Sequence, residues 1–214
     1  MLCIKTKDAA SAWEKSFLLL YENGSELEFN NFYKNECAAI EIDNIYSNNY
    51  SSFFPMSREA IDRINTYIVY GEGEIEHEWT KLYRERLFVK QNYVKTIIDI
   101  LTVWPDCPRA QVAVWNNETD HNSKIAPCLQ ILWFKIINES LHLHVHMRTS
   151  DCYGKLLMNF NEFIAIQKYV AEKISLKTGK YVQFIDSLHF HMKDRDDVDR
   201  LYKLIITNNR PFDT

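Results

Sequence analysis

The chain has 214 residues, 46% hydrophobic and 25% charged, with a formal charge of −4, the balance of one folded globular domain. Five glycines, five prolines and 14% aromatic residues exclude collagen-like, low-complexity and disordered classes. No apolar run approaches the roughly 18 residues of a membrane helix. The charge gives no electrostatic footprint for duplex nucleic acid or an anionic membrane.

Met1 to Asp8 has neither a long apolar run nor a small-residue cleavage site, so no signal peptide is expected. From Ala9 to Tyr21, apolar residues recur at helical spacing (Ala9, Trp13, Phe17, Leu20), and Asn23-Gly24 ends the segment. Cys37 to Ile45 alternates as a strand, and residues 46–54, rich in Asn and Ser, form a loop. Ser57 caps a predicted helix from Arg58 to Tyr70, broken at Gly71. A third predicted helix runs from about Phe88 to Val103. Strands follow at Ala110–Trp115, Leu129–Ile137 and Leu141–Met147, the last two joined by a hairpin at Asn138-Glu139-Ser140. Phe160 to Ile174 is predicted helical and Tyr181 to His191 a strand. A charged segment from Lys193 to Arg200 leads into a short tail. With no repeat and no internal boundary, the fold class is α+β in a single domain.

Five scattered cysteines (Cys3, Cys37, Cys107, Cys128, Cys152), without a Cys-x-x-Cys pair, predict free thiols and a cytoplasmic protein. Cys128 follows a polar loop at the mouth of a strand, where a thiol can be a nucleophile if cations lower its pKa. A cysteine there can equally pack as a small hydrophobe. His142, His144 and His146 share one strand face, which permits metal binding but suits a polar or interfacial face better. His189 and His191 form a second same-face pair. Arg109 and Arg148 lie near strand ends, where a guanidinium can clamp a phosphate. Phosphate-loop, dinucleotide and Ser-His-Asp signatures are absent. These residues on their own describe an anion-binding cleft with a thiol.

Taken in order, Pro105-Asp106-Cys107-Pro108-Arg109, Val114-Trp115-Asn116, Ala126-Pro127-Cys128, Arg148-Thr149-Ser150-Asp151, Asn159 and Ser187-Leu188-His189 resemble the thymidylate synthase superfamily. Cys128 falls nineteen residues after Arg109, Arg148 twenty after Cys128, and Asn159 eleven after Arg148, as in that family. Ala12-Trp13-Glu14, Glu22-Asn23-Gly24 and Asn35-Glu36-Cys37 are similar to the start of its shorter, archaeal-type members.

The resemblance implies a large mixed sheet packed with helices, one sheet face forming a homodimer interface with shared active sites. It implies 5,10-methylene-tetrahydrofolate as one-carbon donor and a pyrimidine nucleoside monophosphate as acceptor. Cys128 would be the nucleophile that adds to carbon 6 of the pyrimidine. Arg148 would bind the nucleotide phosphate and favour the thiolate, and Arg109 would reach the phosphate of the neighbouring subunit. Thr149 holds the place of a phosphate-binding serine, followed by Ser150 in the same substrate-binding run. Asp151 would lie at the base and folate side of the cleft. Asn159 would read the pyrimidine edge, and His189 the sugar hydroxyl. His191 stands where the family has a sugar-binding tyrosine.

Pro108 replaces the first arginine of the family's pair, and Leu129 a common histidine. The family's catalytic glutamate aligns with Ile64, with Glu59 and Glu72 nearby. The sequence ends at Thr214 without the family's last strands and closing tail, which would favour water over hydride as the second reactant. Met147-Arg148, Gln167-Lys168-Tyr169-Val170 and Ser187-Leu188-His189 resemble phage deoxycytidylate hydroxymethylases, whereas asparagine at 159 suits uracil. The leading expectation is hydroxymethylation of a pyrimidine nucleotide. A divergent thymidylate synthase and an inactive nucleotide-binding homologue are the alternatives.

Overall fold

Leu141, Leu143, Val145 and Met147 are buried in strict alternation with half-buried His142, His144 and His146, the period of a strand with one covered face. This strand, β6 (Ser140–Met147), lies inside an eight-stranded mixed sheet in a computed structural model that describes residues 1–27 and 31–208. The main path runs β1 (Leu2–Thr6), β3 (Phe32–Ile42), β8 (Lys177–His191), β6, β5 (Leu129–Ile137) and β4 (Gln111–Ala113). Two short strands, β2 (Ser25–Leu27) and β7 (Ser150–Asp151), join β3 and β8. Parallel pairs (β1 with β3, β6 with β8) stand beside antiparallel ones (β3 with β8, β5 with β6), as expected of an α+β domain.

The helices are α1 (Ala9–Asn23), α2 (Arg58–Tyr70), α3 (Glu78–Arg84), α4 (Tyr93–Val103), α5 (Leu156–Lys173) and α6 (Arg195–Thr207). The central one, α5, touches β6, β8, α1, α2 and α4 and is buried over most of its length. Its polar residues Asn159, Asn161, Glu162 and Gln167 are therefore buried too. Gln167 Nε2 donates to the carbonyl of Leu141 at 2.8 Å, which pins α5 to the sheet. None of the described helices is long and apolar enough to cross a membrane.

Ser57 caps α2 by accepting from Ala60 N, and Gly71 ends it in the left-handed region (φ 73°). The hairpin turns through Asn138 and Glu139, both at positive φ, which matches the twist of the flanking strands. Several expected boundaries are corrected, among them α5, which starts at Leu156 rather than Phe160, and β8, which starts at Lys177 rather than Tyr181. The helix predicted from Phe88 to Val103 begins at Tyr93, because Asn92 takes a left-handed backbone (φ 46°) and accepts from Lys95 N. Before it, α3 ends in a π-helical turn at Glu85–Lys90. The charged segment after Lys193 is helix α6, which buries Val198 and Ile205 on one stripe. The strand expected at Cys37–Ile45 starts earlier and stops at Ile42. The expectation concerning the end of the chain falls on residues 209–214, outside those described.

Helices cover one face of the sheet. The other carries Trp133, the three histidines, Val182 and Phe184, the last 48% exposed. A hollow of about 790 Å³ opens there, lined by Glu41, His142, His144, Lys180, Val182 and Phe184, and it lies away from Cys128. Gly179 belongs to its wall: a Cβ there would come within 2.2 Å of the His142 ring.

Candidate active site

Strand register brings the thiol and the arginine together. Leu129 opposes Met147 in the β5–β6 pair, so the residue before one strand adjoins the residue after the other. Arg148 N donates to the Cys128 carbonyl at 2.9 Å. The Arg148 side chain folds back over the same segment, with Nε on the Pro127 carbonyl (3.0 Å) and Nη2 on that of Ala126 (3.2 Å). Its guanidinium lies 6.0 Å from the Trp115 ring, and Trp79 Nε1 also donates to the Ala126 carbonyl. Arg148 is exposed, which leaves its remaining N–H groups open to an anion.

A second junction follows. β7 pairs in parallel with β8, Ser150 opposite Leu188 and Asp151 opposite His189. Thr149 Oγ1 donates to the Ser187 carbonyl (3.1 Å) and meets His189 Nδ1 at the same distance. The Ser187 carbonyl also lies 3.1 Å from His189 Nδ1 and can only accept, so the His189 proton sits on Nδ1. Nε2 is then an acceptor, 3.4 Å from His191 Nε2. Burial lowers the His189 pKa to about 4, so the ring is neutral at physiological pH, and it stacks on Phe32 at 3.9 Å.

Asp151 turns the chain into α5 by accepting from Tyr153 N (3.0 Å) and Gly154 N (3.2 Å). Burial raises its pKa against these bonds and the charge of His191. Trp13 Nε1 donates to the next carbonyl, Cys152 O, at 2.7 Å and locks the turn to α1. One turn into α5, Asn159 accepts from Ser150 Oγ (3.4 Å). Cys128, Arg148, Thr149, Ser150, Asp151, Asn159, His189 and His191 are thus linked through two neighbouring strand ends and one helix start.

Arg109 is not part of this network. It is exposed, with its guanidinium 5.2 Å from the Trp104 ring, and none of the described contacts joins it to Cys128 or Arg148. The expectation that Arg148 favours the thiolate has the right sign but is outweighed. Burial raises the Cys128 pKa, and Arg148 recovers part of that rise.

Ile64 is buried in α2, and Glu59 and Glu72 are both exposed. A carboxyl that the sequence reading overlooked lies within: Glu162, fully buried on α5. Asn159 Nδ2 donates to its Oε2 (3.4 Å), and its Oε1 has no partner among the described residues. Burial lifts its pKa to about 7 against the hydroxyl of Thr80, the amide of Asn159 and the charge of Lys155. Tyr83, whose hydroxyl accepts from Leu129 N, borders both Cys128 and Glu162. His77 closes the cluster, with Nδ1 2.9 Å from Thr80 Oγ1 and a pKa of about 4 from burial. The sequence signal was a glutamate on the apolar stripe between Phe160 and Ile164, where only a paired or functional charge is expected.

A family model described as thymidylate synthase matches residues 11–209. A Methanocaldococcus jannaschii protein named "Putative thymidylate synthase" is 28% identical over 210 residues, covering 92% of this chain and 93% of that protein. The deoxyuridylate hydroxymethyltransferase of Bacillus phage SP01 is 29% identical over 107 residues, 46% of this chain and 28% of the phage protein. Among solved structures, thermostable thymidylate synthase A from Bacillus subtilis superposes with a TM-score of 0.73 at 15% identity, covering 92% of this chain and 84% of that one. The match along nearly the whole chain agrees with the fold. The chain belongs to the thymidylate synthase family, transferases that use methylene-tetrahydrofolate as one-carbon donor.

Proposed function

We propose that the chain hydroxymethylates carbon 5 of a pyrimidine nucleoside 5′-monophosphate through a covalent adduct at Cys128. The observation that carries this reading is the junction of Cys128 and Arg148, a nucleophile and an anion clamp one hydrogen bond apart on adjacent strand ends. Arg148 binds the phosphate, and Thr149 follows it in the chain with its hydroxyl turned to the Ser187 carbonyl and His189. His189 Nε2, an acceptor, takes a sugar hydroxyl, and Asn159 reads the base with one donor and one acceptor.

The thiol first gives up its proton to water. Sulfur then bonds to carbon 6, the carbon 5–carbon 6 π pair moves to carbon 5, and charge spreads to the carbonyl oxygen at carbon 4. Carbon 5 forms a new bond to the one-carbon unit that the bound folate supplies. Loss of the carbon 5 proton to solvent releases tetrahydrofolate, breaking the bond between the one-carbon unit and the folate nitrogen; water then adds its hydroxyl to the exocyclic carbon and gives up a proton as Cys128 departs as thiolate. No redox partner is required, whereas a methyl product needs a hydride as well. For a flat folate ring, Trp79 and Trp115 offer stacking surfaces beside Arg148, and Asp151 a hydrogen-bonding carboxyl.

The hydroxymethyl product is supported by the phage relative, whose name specifies that chemistry and deoxyuridylate. Methylation is the second reading, favoured by the archaeal relative that spans nearly the whole chain. We further propose a cytoplasmic homodimer across the open sheet face, with Arg109 reaching the partner's nucleotide. A monomer by sedimentation would remove the shared site.

The deciding assay is tritium release from carbon-5-labelled dUMP, UMP, dCMP and CMP with methylene-tetrahydrofolate, products identified by mass. Release with a hydroxymethyl group gained is expected. A methyl group with dihydrofolate would overturn the product assignment, and no release from any of the four would overturn the catalytic reading.

A further inference from the structure

We propose that Glu162 is a positioning residue that fixes which way the Asn159 amide faces and thereby selects uracil over cytosine nucleotides. The inference rests on the reading that Asn159 recognises the base. An ionised carboxylate has acceptors and no donor, so it can satisfy only the amide nitrogen of Asn159. Glu162 Oε2 takes that nitrogen at 3.4 Å, and Ser150 Oγ gives a hydrogen bond to Oδ1 at 3.4 Å on the other side. One donor and one acceptor of the amide are thereby committed, and the remaining pair has a fixed order. Uracil offers a carbonyl at position 4 and N–H at position 3. Cytosine offers an amino group and a bare nitrogen, the same two sites with donor and acceptor exchanged. An amide pinned in one order matches one base and leaves buried groups unpaired against the other.

Glu162 is fully buried, so its carboxylate meets no solvent that could replace Asn159, and Oε1 has no hydrogen-bond partner among the described residues. The groups facing it are Thr80 and Tyr83 from α3, Asn159 from α5, Lys155 just before that helix, and Tyr181 from β8. Burial holds both tyrosines above their ordinary range, so neither ionises near neutrality.

The test is equilibrium binding of dUMP and dCMP to the full chain at pH 8, with turnover followed separately. The wild type should prefer dUMP by roughly 10- to 100-fold, the cost of mismatched buried hydrogen bonds. Glu162→Gln keeps the shape but can accept or donate, so either amide order is satisfied and the preference should collapse. Ser150→Ala should erode it less, since a hydroxyl serves either order. Should Glu162→Gln fail to fold, the wild type itself decides. Lowering pH from 8 to 6 protonates Glu162, titrating near 7, and should shrink the ratio. The nucleotide phosphate also titrates near 6 but is common to both ligands and cancels. An unchanged ratio in Glu162→Gln, or a pH-independent one in the wild type, would overturn the proposal. So would a wild type that binds both nucleotides equally or neither. Selective binding without turnover would instead overturn the catalytic reading and leave the role of Glu162 intact.

Discussion

Arg148 and Cys128 are joined through the backbone: the amide nitrogen of the arginine donates to the carbonyl of the cysteine at 2.9 Å. The guanidinium then folds onto the Pro127 and Ala126 carbonyls, so the cation is held beside the thiol before any ligand arrives. Such preorganisation matters because burial alone disfavours the thiolate.

Removing that cation should therefore slow thiol chemistry. In Arg148→Gln the pKa of Cys128 rises further, because burial is no longer opposed by the guanidinium, and alkylation of this residue by iodoacetamide at pH 8 should slow severalfold. Peptide mapping of the labelled sites separates Cys128 from exposed Cys3. An unchanged rate would mean that the guanidinium does not act on the sulfur.

Cys128→Ser should keep nucleotide affinity within a few-fold and cut turnover by at least about 10³-fold, since the phosphate clamp and the nucleophile are separate groups. Calorimetry with dUMP checks the first half, and tritium release the second. Near-normal turnover would remove the covalent adduct from the mechanism.

The loop leading to Cys128 is tied down by a buried ion pair. Arg86 Nη1 donates to Asp120 Oδ2 (2.5 Å) and to the Val114 carbonyl (2.6 Å), while Asp120 also accepts from Asn116 N. The pair holds the Asp120 pKa near 2, against 3.8 in the unfolded chain. As pH falls, the unfolded chain takes up the proton first. The stabilisation is complete above about pH 4 and is lost towards pH 2. Arg86→Ala strands a buried carboxylate and should cost about 3 kcal/mol at pH 7, read by urea unfolding. The same variant should lose much of the wild type's acid sensitivity between pH 4 and 2. A wild-type acid slope in the variant would assign that sensitivity elsewhere.

Much of this architecture is legible in the residues. Caps and turns speak locally, so Ser57, Gly71 and Asn138-Glu139 mark their boundaries without tertiary context. Cys128 and Arg148 meet because register converts sequence spacing into adjacency at strand ends, and Asn159 joins them from the first turn of α5 through Ser150. Asn92 is harder to see, since only its left-handed backbone distinguishes a cap from one more polar helix residue. Arg109 followed the same spacing, yet it stands apart in the single chain. Glu162 stands out in the sequence only as a charge on an apolar stripe; the line from it through Thr80 to His77 is not legible there, because it joins α5 to α3 across about eighty residues by tertiary contacts.

That line has a stability signature. Glu162 titrates near 7 when folded and near 4.5 when unfolded, so the folded state binds the proton more tightly. Its favourable contribution is fully present below pH 4.5, declines as pH rises through 7, and is absent above. A neutral isostere escapes this loss. Glu162→Gln should match the wild type at pH 4.5 and be more stable at pH 8, by about 3 kcal/mol if the whole shift is expressed. Thermal melts at the two pH values measure the difference directly. A variant less stable than the wild type at pH 8 would mean that the charge is well solvated inside the fold. A gain in stability together with a loss of base discrimination would mark Glu162 as a buried charge retained for recognition at the expense of the fold.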